Sequence, residues 1–82
     1  MQEKKKFDLV LFDSPHHAFA FDQKAKEASL GGRLIPVPRA LSASCGMCYR
    51  SQVASRDLLK SFMENDEIKF NKIVYDFEIM LP

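Results

Sequence analysis

The chain of 82 residues is bounded first by what it lacks. It has no Trp, three Gly and two Cys, and its formal net charge is only +1. A balance that close to neutral gives no nucleic-acid footprint and no polybasic membrane anchor. There is no long apolar run either: "FDLVLF", Phe7 to Phe12, contains Asp8 and ends at Asp13, too short and too charged for a signal-peptide core or a membrane span. The expected address is therefore the cytoplasm, where a C-x-x-C pair is reduced, catalytic or metal-binding rather than a structural disulfide. No glycine loop for phosphate and no carboxylate pair stands out, which argues against stand-alone hydrolytic catalysis.

What is present suits one small domain over residues 1–82, with neither linker nor low-complexity segment. The apolar fraction of 46% is that of a globular protein, and seven Phe point to a core of Phe, Leu and Ile. Residues 1–6, with Lys4-Lys5-Lys6, read as a flexible, solvated N-terminus.

Phe7 to Phe12 reads as a strand buried on both faces. Ser14-Pro15 supplies an N-cap and a first-turn proline. Ala18, Phe21, Ala25 and Ala28 then recur at helical spacing, and Gly31-Gly32 is the expected stop. Arg33 to Val37 is a short strand that Pro36 and Pro38 end or confine to an edge. Gly46 to Arg50 reads as the next strand. A second helix is expected from about Gln52 to Asn65, with Leu58, Leu59, Phe62 and Met63 as its apolar stripe. Last, Ile73, Tyr75, Phe77 and Ile79 alternate with Val74, Asp76 and Glu78, a half-buried strand of period two. The order β-α-β-β-α-β predicts an α+β, ferredoxin-like sandwich: a four-stranded antiparallel sheet with two helices on one face. That topology sets the end of the first strand, the start of the first helix and the connection between strands two and three at one end of the sheet. Ser14, His16 and His17 are thus expected near the loop from Pro36 to Cys45.

The segment "LIPVPRALSASCGMCYR" carries both cysteines. Together with "DSPHHAFAFDQKAKEA", it resembles the small domains called DUF3343, the selenium/sulfur (Se/S) carrier protein-like family. The specific part is P-x-P-R-x-L-S-x-S-C-G, Pro36 to Gly46, and the likeness covers nearly the whole chain. It implies a ferredoxin-like fold and a carrier of sulfur or selenium, with Cys45, beside Gly46, as the family's characteristic thiol. A carrier of this kind works between a donor such as a cysteine desulfurase and an acceptor protein, without a cofactor or metal.

The chemistry asks for an accessible thiol that becomes a thiolate, on a loop able to reach a partner. Ser42-Ala43-Ser44-Cys45-Gly46 is small and unhindered. The first helix's N-terminus, Arg39 and Arg50 are candidates to favour the anion, and His16 or His17 to shuttle a proton. Each has a plainer reading: Cys45 as a small buried hydrophobe, the histidines as first-turn polar residues, Arg39 as a pin on backbone carbonyls, Arg50 as a strand-end charge. Cys48 is the possible second thiol. If Cys45 to Arg50 is extended, however, positions 45 and 48 point to opposite faces, and Cys48 becomes a strand residue.

Three rivals use the same residues. A dithiol oxidoreductase needs its first thiol at a helix N-terminus, whereas the second helix starts several residues later. A copper or zinc site would use the thiolates, but copper-binding domains of this order carry their cysteines after strand one, and four-ligand zinc spacing is missing. A non-catalytic interaction or regulatory module fits the fold equally well.

Overall fold

The computed structural model describes residues 3–41, 45–65 and 67–81. Its elements are β1 (Glu3–Leu11), α1 (Pro15–Glu27), β2 (Arg33–Pro36), β3 (Met47–Gln52), α2 (Arg56–Met63) and β4 (Lys72–Leu81). A 3₁₀ turn, Val53–Ser55, leads into α2. The strands form one antiparallel sheet in the order β2-β3-β1-β4. With two helices this is the α+β, ferredoxin-like arrangement that the alternating periodicities predict.

β1 is the central girder, because its apolar residues feed both faces. Val10 and Phe12 join Ala18, Phe21, Ala25, Tyr49 and Leu59 in the cluster under the helices. Phe7, Leu9 and Leu11 join Cys48 on the other face, where no helix lies. That second cluster is still buried, since Ile35, Val37, Leu41, Val74, Phe77 and Ile79 pack over it. Leu41 reaches it through a turn in which its N–H bonds to the Pro38 carbonyl at 2.9 Å. Burying Leu9, Leu11 and Phe7 contributes about 2 kcal/mol each, before chain entropy is set against it.

Several boundaries differ from the sequence expectation, each for a local reason. β1 begins at Glu3, so Lys4, Lys5 and Lys6 are ladder residues opposite Met80, Ile79 and Glu78 rather than a flexible N-terminus. The ten-residue β4 supplies the partner that their own sequence does not reveal. α1 starts as expected, Ser14 Oγ accepting the His17 N–H at 3.3 Å with Pro15 in the first turn. It stops before the glycines, however. Ser29 takes the left-handed conformation (φ 57°), its N–H bonding to Lys26 O, while the Leu30 N–H bonds to Ala25 O. This is a Schellman close, stabilised because Leu30 is drawn into the core. Ala28 is the helix's C-cap and is exposed. Gly32 has another duty: a Cβ there would collide with the Arg50 carbonyl and the Tyr49 ring, and its N–H donates to the Tyr49 hydroxyl at 3.0 Å. On α2, Leu59 is buried and Leu58 is 50% exposed, so the apolar stripe is narrower than predicted.

The largest departure is in β4. Val74 pairs with Leu9 and Phe77 with Phe7, leaving Tyr75 and Asp76 together opposite Asp8. This bulge, with Asp76 at φ 54°, reverses the alternation. Ile73 therefore packs under the helices while Phe77 and Ile79 pack on the open face.

Candidate functional site

The site is best built from the ladder outward. β3 lies between β1 and β2, with Cys48 in register with Leu11 on one side and Ile35 on the other. Strand residues of the central sheet have little access to solvent, and the Cys48 side chain is 0% exposed. Burial, and then the negative charge of a neighbouring Cys45 thiolate, push the Cys48 thiol up to about 11. At neutral pH it is a protonated, enclosed thiol.

Cys45 stands just before this strand. Gly46 has φ 77° with open space around its α-carbon, and its carbonyl accepts the Val37 N–H at 3.1 Å, closing the β2–β3 connection. The turn leaves Cys45 half-buried. Its Sγ accepts the Met47 N–H at 3.4 Å and donates to the Met47 carbonyl at 2.9 Å. Cys45 packs against the cluster under the helices and Cys48 belongs to the cluster on the open face. Both cysteines are free, so the C-x-x-C spacing of the sequence is not a joined pair in the fold.

The end of the sheet is shared as the topology requires: Leu11, the last residue of β1, neighbours Cys48 and so the start of β3. His16 and His17 nevertheless face elsewhere. They line a cavity of about 200 Å³ with Phe21, Lys24, Glu67 and Ile68, and neither cysteine is in its wall. Lys24 and Glu67 close one side of it with a 3.1 Å ion pair. Ser14 is occupied as the helix cap. Arg39 is exposed in the Pro38–Leu41 turn. Arg50 has its guanidinium 4.6 Å from the Phe7 ring on the open face. Ser44, with Ser42 and Ala43, lies outside the described residues. Among the described residues, no three His, Cys, Asp or Glu side chains stand together as a metal site. None of the described helices is long and apolar enough to cross a membrane.

Sequence reasoning missed a second polar constellation. The Asp8 side chain is 0% exposed inside the otherwise apolar stretch Phe7 to Phe12. Arg56 grips it through Nε (2.8 Å) and Nη2 (2.7 Å), and the Asp76 N–H at the bulge donates to the same carboxylate at 3.1 Å. Arg56 Nη2 also reaches the Asp76 carboxylate at 2.8 Å, with its guanidinium 4.9 Å from the Tyr75 ring. The Arg56 hydrogen bonds hold the Asp8 carboxyl below its ordinary value against the opposing effect of burial. The signal was an Asp inside "FDLVLF": a charge at a doubly buried position requires a partner.

No curated protein and no solved structure matches the chain. The family model described as "Putative Se/S carrier protein-like" does match, over residues 8–75, a span that takes in the end of β1, both helices and both cysteines. The chain belongs to the Se/S carrier protein-like family.

Proposed function

We propose that the protein carries sulfur or selenium on Cys45 and hands it to an acceptor protein. The observation that carries this reading is the contrast between the two thiols: Cys45 is half-buried at a turn, and Cys48 is fully enclosed with its proton held to about pH 11. Membership of the family supports the class of cargo.

The chemistry is a sulfane-sulfur transfer that needs no external oxidant. The Cys45 thiolate attacks the outer sulfur of a donor's persulfide, such as that of a cysteine desulfurase. A new S–S bond forms on Cys45, the donor's S–S bond breaks, and the donor leaves as a thiolate. Delivery repeats the same step with Cys45 as the leaving group. Selenium would travel likewise as a selenosulfide. As a thiolate, Cys45 gives up its bond to the Met47 carbonyl and keeps the Met47 N–H as a donor to the anion. Two free thiols suit a reducing compartment such as the cytoplasm.

Intact-mass measurement after incubation with a cysteine desulfurase and cysteine tests the reading. The expected result is an added sulfur atom on wild type and Cys48→Ala, and none on Cys45→Ala. Absence of the adduct from all three proteins would favour a non-catalytic interaction module, and loss of it in Cys48→Ala would restore the dithiol reading.

A further inference from the structure

The exposed edges of the sheet are not treated alike. β2, at one edge, has four residues and ends in Pro36, which has no N–H to offer a passing strand. Glu3 to Lys6 of β1 run beyond the last β3 partner, Gln52 opposite Phe7, so that side of the β1–β4 ribbon is open too. There three successive lysines guard it, the usual protection of an edge. β4 beyond its bulge has no such device. Phe77, Ile79 and Met80 surround the single charge of Glu78, and Met80 is 52% exposed.

We propose that this edge, Phe77–Leu81, pairs antiparallel with the same segment of a second copy of the chain, joining two four-stranded sheets into one. The segment is self-complementary about Ile79. A two-fold axis there sets Ile79 opposite Ile79 and Glu78 opposite Met80 of the second copy. The β1 register continues the rows: Lys5 stands beside Ile79, Lys6 beside Glu78 and Lys4 beside Met80. One row thus reads Lys5, Ile79, Ile79, Lys5, an apolar centre with its like charges three strand spacings apart, about 14 Å. That exceeds the screening length of roughly 8 Å at physiological salt. In the next row each Glu78 lies between its own Lys6 and a Met80 of the second copy that is itself flanked by Lys4.

The bulge assists the union. It turns Phe77 and Ile79 to the open face, where they are packed against the cluster of Phe7 and Leu9, so the joined edges continue an apolar layer already present. The position also leaves the thiols clear. Leu11 beside Cys48 marks one end of β1 and Glu3 beside Leu81 the other, nine residues or about 27 Å apart. The proposal is therefore independent of what Cys45 carries.

Sedimentation equilibrium of the full chain under reducing conditions, from ~10 to ~300 μM, tests it. The expected mass is twice 9.4 kDa at the upper end. Ile79→Lys, which sets two ammonium groups face to face, should weaken association at least tenfold while circular dichroism stays native. A second variant serves if that one does not fold: Ile79→Cys in a Cys45→Ala background should form a disulfide-linked dimer on mild oxidation, since directly paired residues lie within bridging distance. A monomer at every concentration overturns the proposal and leaves the edge to a strand of another protein. An undiminished dimer in folded Ile79→Lys, or no cross-link from Ile79→Cys, overturns it as well.

Discussion

Asp8 and Arg56 are joined by two hydrogen bonds of 2.7 and 2.8 Å between a fully buried side chain of β1 and the first residue of α2. The same carboxylate holds the Asp76 N–H, so one side chain fixes both the approach of the helix and the bulge of β4. Asp8→Ala removes two of the Arg56 hydrogen bonds and the acceptor of the Asp76 N–H, and should cost about 3 kcal/mol. The check is a urea titration, or a fall in Tm on the order of 15 °C for a chain of this size.

The pair also predicts acid sensitivity. Because the folded-state value of Asp8 is depressed, its contribution is complete above the unfolded value of about 3.9 and disappears as pH falls through the lower folded value. Wild type should lose stability steeply below about pH 4. Asp8→Asn, less stable at neutral pH, should show a flatter dependence over that range.

Ser51, in register with Asp8, is buried, and its Oγ finds no hydrogen-bond partner among the described residues. Removing an unsatisfied hydroxyl should not destabilise the protein. Ser51→Ala is expected to leave the urea midpoint unchanged or to raise stability by about 1 kcal/mol; a loss of that size would reveal a partner for the hydroxyl.

The two thiols should react at very different rates. Iodoacetamide at neutral pH is expected to label Cys45 in the native protein and to reach Cys48 only in denaturant, because only the first has any solvent access. Peptide mapping by mass spectrometry reads the difference, and equal native labelling would contradict the burial of Cys48.

Cys48 also sets a limit at alkaline pH. Its folded value, about 11, lies above the ordinary 9.0, so the folded state keeps a proton that the unfolded chain gives up. The contribution is complete below about pH 9 and is lost as pH rises through the folded value, by roughly 2–3 kcal/mol in all. Subtracting the stability curve of Cys48→Ala from that of wild type between pH 8 and 11 isolates it.

The element order and the ferredoxin-like fold were legible because they rest on hydrophobic period and on caps: Ser14-Pro15, the stripe of Ala18, Phe21 and Ala25, and the edge prolines. The opposite packing of Cys45 and Cys48 is what an extended run predicts, but Cys45 stands before β3, and the turn at Gly46 (φ 77°) sets its side. Other features depend on partners distant in sequence. Asp8 announced the need for a cation, but nothing in the chain singled out Arg56. The bulge sets Asp76 at positive φ, a conformation aspartate takes more readily than most side chains, and bonds from Asp8 and Arg56, distant in sequence, hold it there. The histidines share the thiol's end of the sheet, yet the rotation of α1 turns them toward Glu67 and Ile68, and that rotation is set by packing rather than by local sequence.

The bulge gives β4 two reading frames. Before it, odd-numbered residues belong to the helix side; after it, odd-numbered residues belong to the open side. Straightening the bulge with both Tyr75 and Asp76 kept would shift every later residue by one, turning Phe77 and Ile79 beneath the helices and carrying Glu78 onto an apolar layer. The bulge is therefore the one place where β4 can give up a single residue and still leave Phe77 opposite Phe7. A loss anywhere between Phe77 and Leu81 would put the residues beyond it on the wrong face.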